Sequence, residues 1–212
     1  FTQNDKIVSL LAAMRDRYAC KKFQEGREIP PEQLSMILEA GRLAPSSFGL
    51  EHWHFFVSRT RATCAALYKA CFSQENVKTA SAIITVAVPT RQYYHPDSDF
   101  VRFRSERFPG GYQVFVDDYR PYWEYLERQG IVEEWARAQG YIAAAHMMIA
   151  AAGAGIDSCP IEGFQEPAVL AILGLNPRDW RISLVLPLGY RDEPVREKIR
   201  LSLDELVTES EI

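Results

Sequence analysis

The sequence predicts an α+β fold in which helices cover a small sheet. Three short runs rich in β-branched or aromatic residues are typical of strands, at residues 54–58, 82–88 and 182–188. The middle run is continuously apolar, which indicates a strand covered on both faces. Apolar residues at helical spacing occupy much of the remaining chain. The 212 residues, 47% of them apolar, suffice for one well-buried domain, which we predict over residues 1–212.

The helices are predicted from periodicity and from proline and glycine positions. Residues 5–16 carry an apolar stripe at helical spacing: Ile7, Val8, Leu10, Leu11 and Met14. A second helix begins at Pro30-Pro31-Glu32, because proline fits a first turn, and Pro45 ends it. Four of its residues are expected to face inward: Leu34, Ile37, Leu38 and Leu43. Further helices are predicted over residues 61–72 and 133–153, the latter capped by Gly153, whereas Pro187 indicates an edge or a bulge in the third strand.

Residues 90–134 differ from the rest of the chain because they mix many aromatic rings with charges, prolines and glycines. We call this segment the aromatic excursion. Such a composition suits a helical segment near a ligand site or a subunit interface, where the rings cover a ligand or a partner. A helical hairpin that packs its rings onto its own domain explains the composition equally well.

Composition argues against several classes of protein. The net charge of −4 gives no reason to expect a nucleic acid or an anionic membrane as partner. The most apolar segment, residues 141–152, is shorter than the roughly 20 residues that a membrane-spanning helix needs. Four scattered cysteines lack zinc-ligand or dithiol spacing, so we expect no metal and a reduced, cytoplasmic compartment. The first residues show neither a basic nor an apolar leader, and no signal peptide is expected.

Two segments near the start of the chain can bind an anion. Arg17 and Lys21 follow the first helix directly, and an arginine fork suits a phosphate while a lysine suits an anionic ring edge. A solvated basic helix end explains the same residues. Pro45-Ser46-Ser47 offers hydroxyl and N–H groups between a helix and a strand, although an ordinary helix stop needs no ligand.

Three later segments complete the candidate site. Lys198 and Arg200 could neutralise a phosphate together with Arg17, although alone they resemble surface charge. Gln74 and Asn76 offer amides for a ring edge. In Cys159–Gly163 the proline makes a rigid turn that could hold Ile161 flat against a planar ligand, with the next N–H groups at its edge. Glycine-rich phosphate loops are absent, so side-chain cations must hold any phosphate.

These segments resemble those of the FMN-dependent, oxygen-insensitive NAD(P)H nitroreductases, including dihydropteridine-reductase-like members, over nearly the whole chain. Four segments carry the resemblance in order: residues 17–21, 45–51, 76–81 and 157–164. The resemblance implies a central, mixed but mainly antiparallel sheet flanked by helices. It also implies an intertwined homodimer with FMN sites at the subunit interface.

The resemblance also implies roles for individual residues. The FMN phosphate is expected on Arg17, Lys198 and Arg200, and the pyrimidine edge near Lys21. Pro160 and Ile161 are expected to back one ring face, with the N–H groups of Glu162 and Gly163 near N5 and O4. The remaining expected contacts are Tyr18, Ala19, Gln74 or Asn76, and Pro45, Ser46 and Ser47 of the second subunit. Ala19 and Tyr18 depart from the frequent serine and histidine, so one phosphate hydroxyl is missing.

The implied activity is a ping-pong, two-electron transfer of hydride from NAD(P)H to a nitroaromatic, a quinone or a related acceptor. No catalytic acid or base is expected, because solvent can supply protons. The same fold also supports reductive dehalogenation and flavin fragmentation, which are retained as alternatives. A non-catalytic, flavin-binding dimer is the third interpretation of the sequence.

Overall fold

The computed structural model describes residues 3–210, so the outermost residues of the predicted domain lie outside the description, as do the side chains of residues 3–6 and 8. The main helices are α1 (Gln3–Asp16), α2 (Pro31–Arg42), α3 (Arg61–Ala70), α4 (Glu75–Lys78), α5 (Asp99–Ser105), α6 (Gly111–Gln129), α7 (Val132–Gly153), α8 (Glu166–Ile172) and α9 (Leu203–Leu206). The strands are β1 (His54–Ser58), β2 (Ala82–Pro89), β3 (Asp157–Ser158) and β4 (Trp180–Gly189). The three predicted strands are confirmed, whereas β3, α4, α8 and α9 were not predicted. No helix of the described residues is long and apolar enough to cross a membrane.

The sheet has the strand order β1-β2-β4-β3, and every pairing between these strands is antiparallel. The predicted parallel component is limited, in the described part of the chain, to one isolated bridge between Ala19 and Ser158. Because β4 lies between β2 and β3, Pro187 is in an inner strand and the prediction of an edge is wrong. The bulge lies at Ser183, between the pairs Val86–Leu184 and Ala87–Ile182.

An inner strand tolerates Pro187 because of the side on which its nitrogen lies. The Pro187 carbonyl accepts a hydrogen bond from the Cys159 N–H at 3.2 Å, so the carbonyl and the ring nitrogen both face the β3 side. On that side β3 ends at Ser158. The missing donor therefore falls where the regular ladder stops, and the hydrogen bonds to β2 are retained.

The sheet separates two apolar layers, as the continuously apolar β2 predicts. Ile84, Val86 and Leu186 face α2 and α7, whereas Ile83 and Val185 face α3 and α8. In the second half of α7, Ala143, Ala144 and Met147 join the first layer. Gly140 allows α7 to approach β4 closely, since an added Cβ there meets the Ser183 Oγ at 2.3 Å. Burial on both faces of β2 and β4 provides most of the driving force for this fold.

Details of the predicted helices differ from the structure. Leu43 is 63% exposed and does not face inward, because α2 ends one residue earlier, at Arg42. The described members of the α1 stripe, Ile7, Leu10, Leu11 and Met14, are exposed, and the Val8 side chain lies outside the description. α7 ends at Gly153 as predicted, but the left-handed residue that follows the helix is Gly155.

The aromatic excursion forms a 3₁₀ turn (Arg91–Tyr94), α5 and α6, which lie before α7. Its largest buried rings pack onto the same chain: Tyr94 and Tyr119 are fully buried, and the Tyr119 hydroxyl donates to the Tyr94 carbonyl at 2.7 Å. Self-packing, one of the two alternatives, therefore describes these rings. Phe103 and Tyr125 remain exposed and available to a ligand or a partner.

Candidate functional site

The Cys159–Gly163 segment continues the edge strand β3 along β4. Ile161 exchanges both backbone hydrogen bonds with Val185, at 2.8 and 3.0 Å. Strand alternation then turns the Ile161 side chain into the core, where it is 2% exposed. The expectation that this side chain lies flat against a ligand is therefore corrected. The half-buried Pro160 is its neighbour at the surface.

The next two residues present unpaired N–H groups. Within the described residues, the N–H groups of Glu162 and Gly163 have no protein acceptor. The turn is held from other sides, because Gln74 Nε2 donates to the Gly163 carbonyl at 3.1 Å and Tyr141 donates to Glu162 Oε1 at 2.6 Å. Two adjacent donors on a fixed turn suit acceptor atoms at the edge of a planar ring.

The two candidate amides differ in how they are used. Gln74 Nε2 donates to the carbonyls of Gly163 and Cys71, so this amide supports the turn. Asn76 is buried, and its Nδ2 donates to the Cys20 carbonyl at 3.3 Å, whereas its Oδ1 has no partner within residues 3–210 as described. A buried acceptor without a partner is uncommon in folded proteins and indicates a site for a further donor.

Three predicted cations converge at the end of α1. Lys198 Nζ donates to the carbonyls of Met14, at 2.6 Å, and Arg17. Burial lowers the pKa of Lys198, and the nearby positive charges of Arg17 and Arg200 lower it further. Like charges held this close are stabilised by an anion between them. The set therefore fits a phosphate without a glycine-rich loop.

The cation cluster and the turn belong to one site. Lys21 Nζ lies 3.6 Å from Cys159 Sγ, and the Lys21 N–H donates to Glu193 Oε1 at 2.7 Å. Burial raises the pKa of the Cys159 thiol, although the positive charges of Lys21 and Arg17 oppose this effect. We call this assembly of Arg17, Lys21, residues 159–163, Lys198 and Arg200 the cation–turn site.

Two further residues of the first segment, Ala19 and Tyr18, contact the edge strand and Arg191. Ala19 forms the isolated bridge to Ser158 that joins the segment to the edge strand. The Tyr18 ring lies 5.3 Å from the Arg191 guanidinium, and its buried hydroxyl has no partner. Arg191 is itself bound by Asp157 and Asp16, each at 3.0 Å. These two ion pairs tie the end of α1 to the sheet.

The segment of residues 45–51, which we call the serine loop, forms its hydrogen bonds within itself and with α7. Ser46 Oγ accepts from the Glu51 N–H at 2.8 Å, and the Ser47 N–H donates to Gln139 Oε1 at 2.9 Å. Pro45 is exposed. In the described chain, no hydrogen bond or ion pair joins Pro45, Ser46 or Ser47 to the cation–turn site.

Sequence reasoning missed the residues that hold these segments in place. Gln139 fixes the serine loop, Tyr141 fixes Glu162, and Asp157 fixes Arg191. Gln139 carried a usable signal, because a glutamine that interrupts an Ala-rich, mostly apolar helix needs a partner if the helix packs into the core. Tyr141 and Asp157 carried none, since their partners are distant in the sequence.

Together, the layered α+β fold and a site built from side-chain cations and a rigid turn define a protein suited to a phosphorylated, planar ligand. A family model described as "Nitroreductase family" matches residues 14–190. The chain therefore belongs to the nitroreductase family. It is an oxidoreductase of the NAD(P)H nitroreductase class.

Relatives and solved structures agree with this assignment over nearly the whole chain. A candidate NAD(P)H nitroreductase of Staphylococcus epidermidis is 32% identical over 97% of this chain and 98% of its own length. YfkO of Bacillus subtilis is 31% identical, over 96% and 98%. A nitroreductase-like protein of Streptococcus mutans has the same fold, with a TM-score of 0.82 and 21% identity over 99% and 100% of the two chains. A family structure from Exiguobacterium sibiricum, solved in complex with FMN, has a TM-score of 0.74 and 20% identity over 95% and 97%.

Proposed function

We propose that this protein is an FMN-dependent NAD(P)H oxidoreductase that reduces nitroaromatics, quinones or related acceptors by two-electron transfer. The observation that carries the proposal is the cation–turn site. Three cations lie close together beside one segment, and that segment also meets a turn whose two N–H groups have no acceptor among the described residues. This combination fits both ends of one phosphorylated flavin.

Different residues of the cation–turn site bind different parts of FMN. Arg17, Lys198 and Arg200 bind the phosphate, and Lys21 stabilises negative charge at the pyrimidine edge. Pro160 borders the ring, and the N–H groups of Glu162 and Gly163 donate to its acceptor atoms. When bound, FMN supplies the hydride chemistry, and the protein supplies position and electrostatics.

The substrates impose one further condition on the site. NAD(P)H and the acceptor use one pocket in turn, next to the Glu162–Gly163 turn. Residues around that turn must therefore exclude bulk water without blocking a planar substrate. The exposed rings of Phe103 and Tyr125 are suited to cover such a pocket.

We also propose that the site is completed in a homodimer. The chain after Gly189 projects apolar side chains that are 57–85% exposed: Val195, Ile199, Leu201, Leu203, Leu206 and Val207. The exposed stripe of α1 adds to this surface, and single chains rarely leave so much apolar area in water. A second copy covers both surfaces, and Pro45, Ser46 and Ser47 of that copy then reach the flavin.

Anaerobic reduction tests the proposed activity. Purified protein reconstituted with FMN is expected to lose its flavin absorption on addition of NADPH or NADH, and to regain it with a nitroaromatic or a quinone. Oxidation by a halogenated aromatic alone, with release of halide, supports dehalogenation instead. Bound flavin that neither nicotinamide reduces contradicts the proposal.

Sedimentation tests the dimer separately. Ile199→Asp is expected to convert the dimer largely to monomer, because it places a charge in the proposed interface. Val57→Asp is the control, since Val57 is also exposed but lies on β1 and not in the chain after Gly189. If the wild-type protein sediments as a monomer and retains FMN, the proposal of a two-subunit site is wrong, whatever the activity.

A further inference from the structure

A second cavity lies apart from the cation–turn site, between the start of β1, the start of β4 and α5. Its volume is about 150 Å³, and its walls include His52, Trp53, Phe100, Arg104, Asp179 and Trp180. None of the residues that line it belongs to the cation–turn site. The cavity combines aromatic walls with a few polar groups, which is the usual composition of a small-molecule site.

His52 is the strongest indication of a ligand. Its side chain is fully buried, and neither Nδ1 nor Nε2 has a hydrogen-bond partner among the described residues. Rings surround it, with the Trp135 centroid at 4.4 Å and the Tyr94 centroid at 5.1 Å. Burial and the charge of Arg104 lower the pKa of His52 to about 3, so the imidazole is neutral and has one donor and one acceptor to satisfy.

Arg104 adds an unpaired cation to the same cavity. Its Nε is buried and has no acceptor in the part of the chain that the structure describes, and its guanidinium lies 4.3 Å from the Phe100 ring centroid. No carboxylate of the described residues forms an ion pair with Arg104. The nearby acid, Glu51, pairs with Arg107 at 2.9 Å instead.

The only carboxylate among the lining residues is already engaged. Asp179 Oδ1 accepts from the Tyr93 hydroxyl at 3.0 Å and from Gln92 Nε2 at 3.2 Å. It is outside ion-pair distance of Arg104, so the cavity has a cationic side and an acidic side. An anionic group is therefore attracted to the side of Arg104 and His52, and a ring occupies the space toward the tryptophans.

We propose that this cavity binds a monocyclic aromatic carboxylate of the size of benzoate, with its carboxylate on Arg104 and His52. The size follows from the volume, because a cavity of about 150 Å³ accommodates one benzene ring. The charge follows from Arg104, whose fork matches a carboxylate. The ring follows from Trp53, Phe100 and Trp180, which favour a flat apolar body. This inference does not depend on the proposed flavin chemistry.

Isothermal titration of the purified, flavin-loaded protein tests the proposal with benzoate as the probe. Benzamide is the neutral control of the same shape. We expect one benzoate per chain, bound at least about tenfold more tightly than benzamide, because the charge-assisted contacts are lost with the amide. Equal affinities, or no binding of benzoate, overturn the proposal and leave the cavity to water.

Variants locate the binding. Arg104→Gln is expected to weaken benzoate at least about tenfold, whereas Arg107→Gln, a neighbour already paired with Glu51, leaves it unchanged. If Arg104→Gln does not fold, Arg104→Lys replaces it, which keeps the charge but loses the fork. Benzoate that also binds at the flavin shifts the flavin absorption. If the Arg104 variants bind benzoate with unchanged affinity and show the same shift in flavin absorption, all benzoate binds at the flavin. That result overturns the proposal.

Discussion

The cation–turn site and the serine loop are two parts of the proposed flavin site with opposite designs. In the cation–turn site, Arg17, Lys198 and Arg200 repel one another, and the Glu162 and Gly163 N–H groups have no protein acceptor in the described chain. In the serine loop, the polar groups of Ser46 and Ser47 are already bound within the chain. The charges and N–H groups of the cation–turn site are therefore available to a ligand, whereas the polar groups of the serine loop already hold that loop in one conformation.

The serine loop obtains its shape from the aromatic excursion. Phe48 and Glu51 have positive φ angles of 54° and 48°, which cost energy in residues other than glycine. Phe48 lies 5.2 Å from the Tyr119 ring centroid, and Glu51 pairs with Arg107. Tertiary contacts thus hold a backbone that its own sequence disfavours. In the proposed flavin site, charge would therefore select the ligand, and the rigid loop would shape its surroundings.

The largest expected effect on ligand binding concerns the cations. Arg17→Ala and Lys198→Ala should each weaken FMN binding about 10- to 100-fold, since charge-assisted contacts contribute about 1.5–3 kcal/mol. Fluorescence titration of the apoprotein with FMN measures this change. Arg15→Ala is the matched control, because Arg15 is an exposed cation in the last turn of α1, two residues before Arg17. Equal affinities in all three variants would remove the phosphate from this cluster.

The next effect tests whether the excursion shapes the serine loop. Gly49→Ala should lower the free energy of unfolding by about 2–4 kcal/mol, because strain at positive φ is added to a steric clash. An added Cβ lies 2.5 Å from the Phe108 ring. Urea denaturation measures the change. Gly26→Ala measures the backbone strain alone, since Gly26 also has a positive φ but open space around it. If it lowers the free energy of unfolding as much as Gly49→Ala does, contact with the aromatic excursion does not support the serine loop.

The smallest effect is the pH dependence that His52 imposes. The unfolded chain binds a proton near pH 6.5, whereas folded His52 does so only near pH 3, so stability falls as the pH is lowered between these values. At pH 5 the loss amounts to about 2 kcal/mol. Urea denaturation of His52→Gln at neutral pH and at pH 5 should show a loss of stability between the two that is smaller by this amount than in the wild type.

His146→Gln serves as the control for this titration, because His146 is exposed on α7. If the pH profiles of wild type and His52→Gln coincide, His52 is not a buried neutral imidazole in solution. That result would also weaken the contrast between the ligand-dependent cations and the self-contained loop region, since His52 directly follows the serine loop.

Local patterns in the sequence predicted much of the fold. β1 matches the predicted residues, and β2 and β4 differ from prediction by one or two residues at their ends, because β-branched runs bounded by turns are strong local signals. Pro187 was assigned to an edge because the sequence does not show which side of a strand faces its neighbours. The strand β3 was missed, since two residues that pair with a distant strand carry no local pattern.

The candidate site was predictable in part. The residue types of Arg17, Lys198 and the Cys159–Gly163 turn predicted phosphate and ring binding; the structure brings them near one another, and their role in binding stays a prediction. The orientation of Ile161 was not predictable, because the turn proved to be an extension of an edge strand. Which amide supports the turn was also decided only by contacts: Gln74 bonds to Gly163, and Asn76 does not.

The sequence by itself determined the three long strands, the main helices and the family, and it supplied the residue types that we propose meet the ligand, because these depend on periodicity and on residue chemistry. Only the tertiary structure decided which side chains are free to act. It placed Ile161 in the core, joined Arg17 to Lys198 across most of the chain, and left His52 and Arg104 facing one cavity. Such pairings depend on packing between distant segments, and burial or an unsatisfied hydrogen bond exists only once the chain has folded.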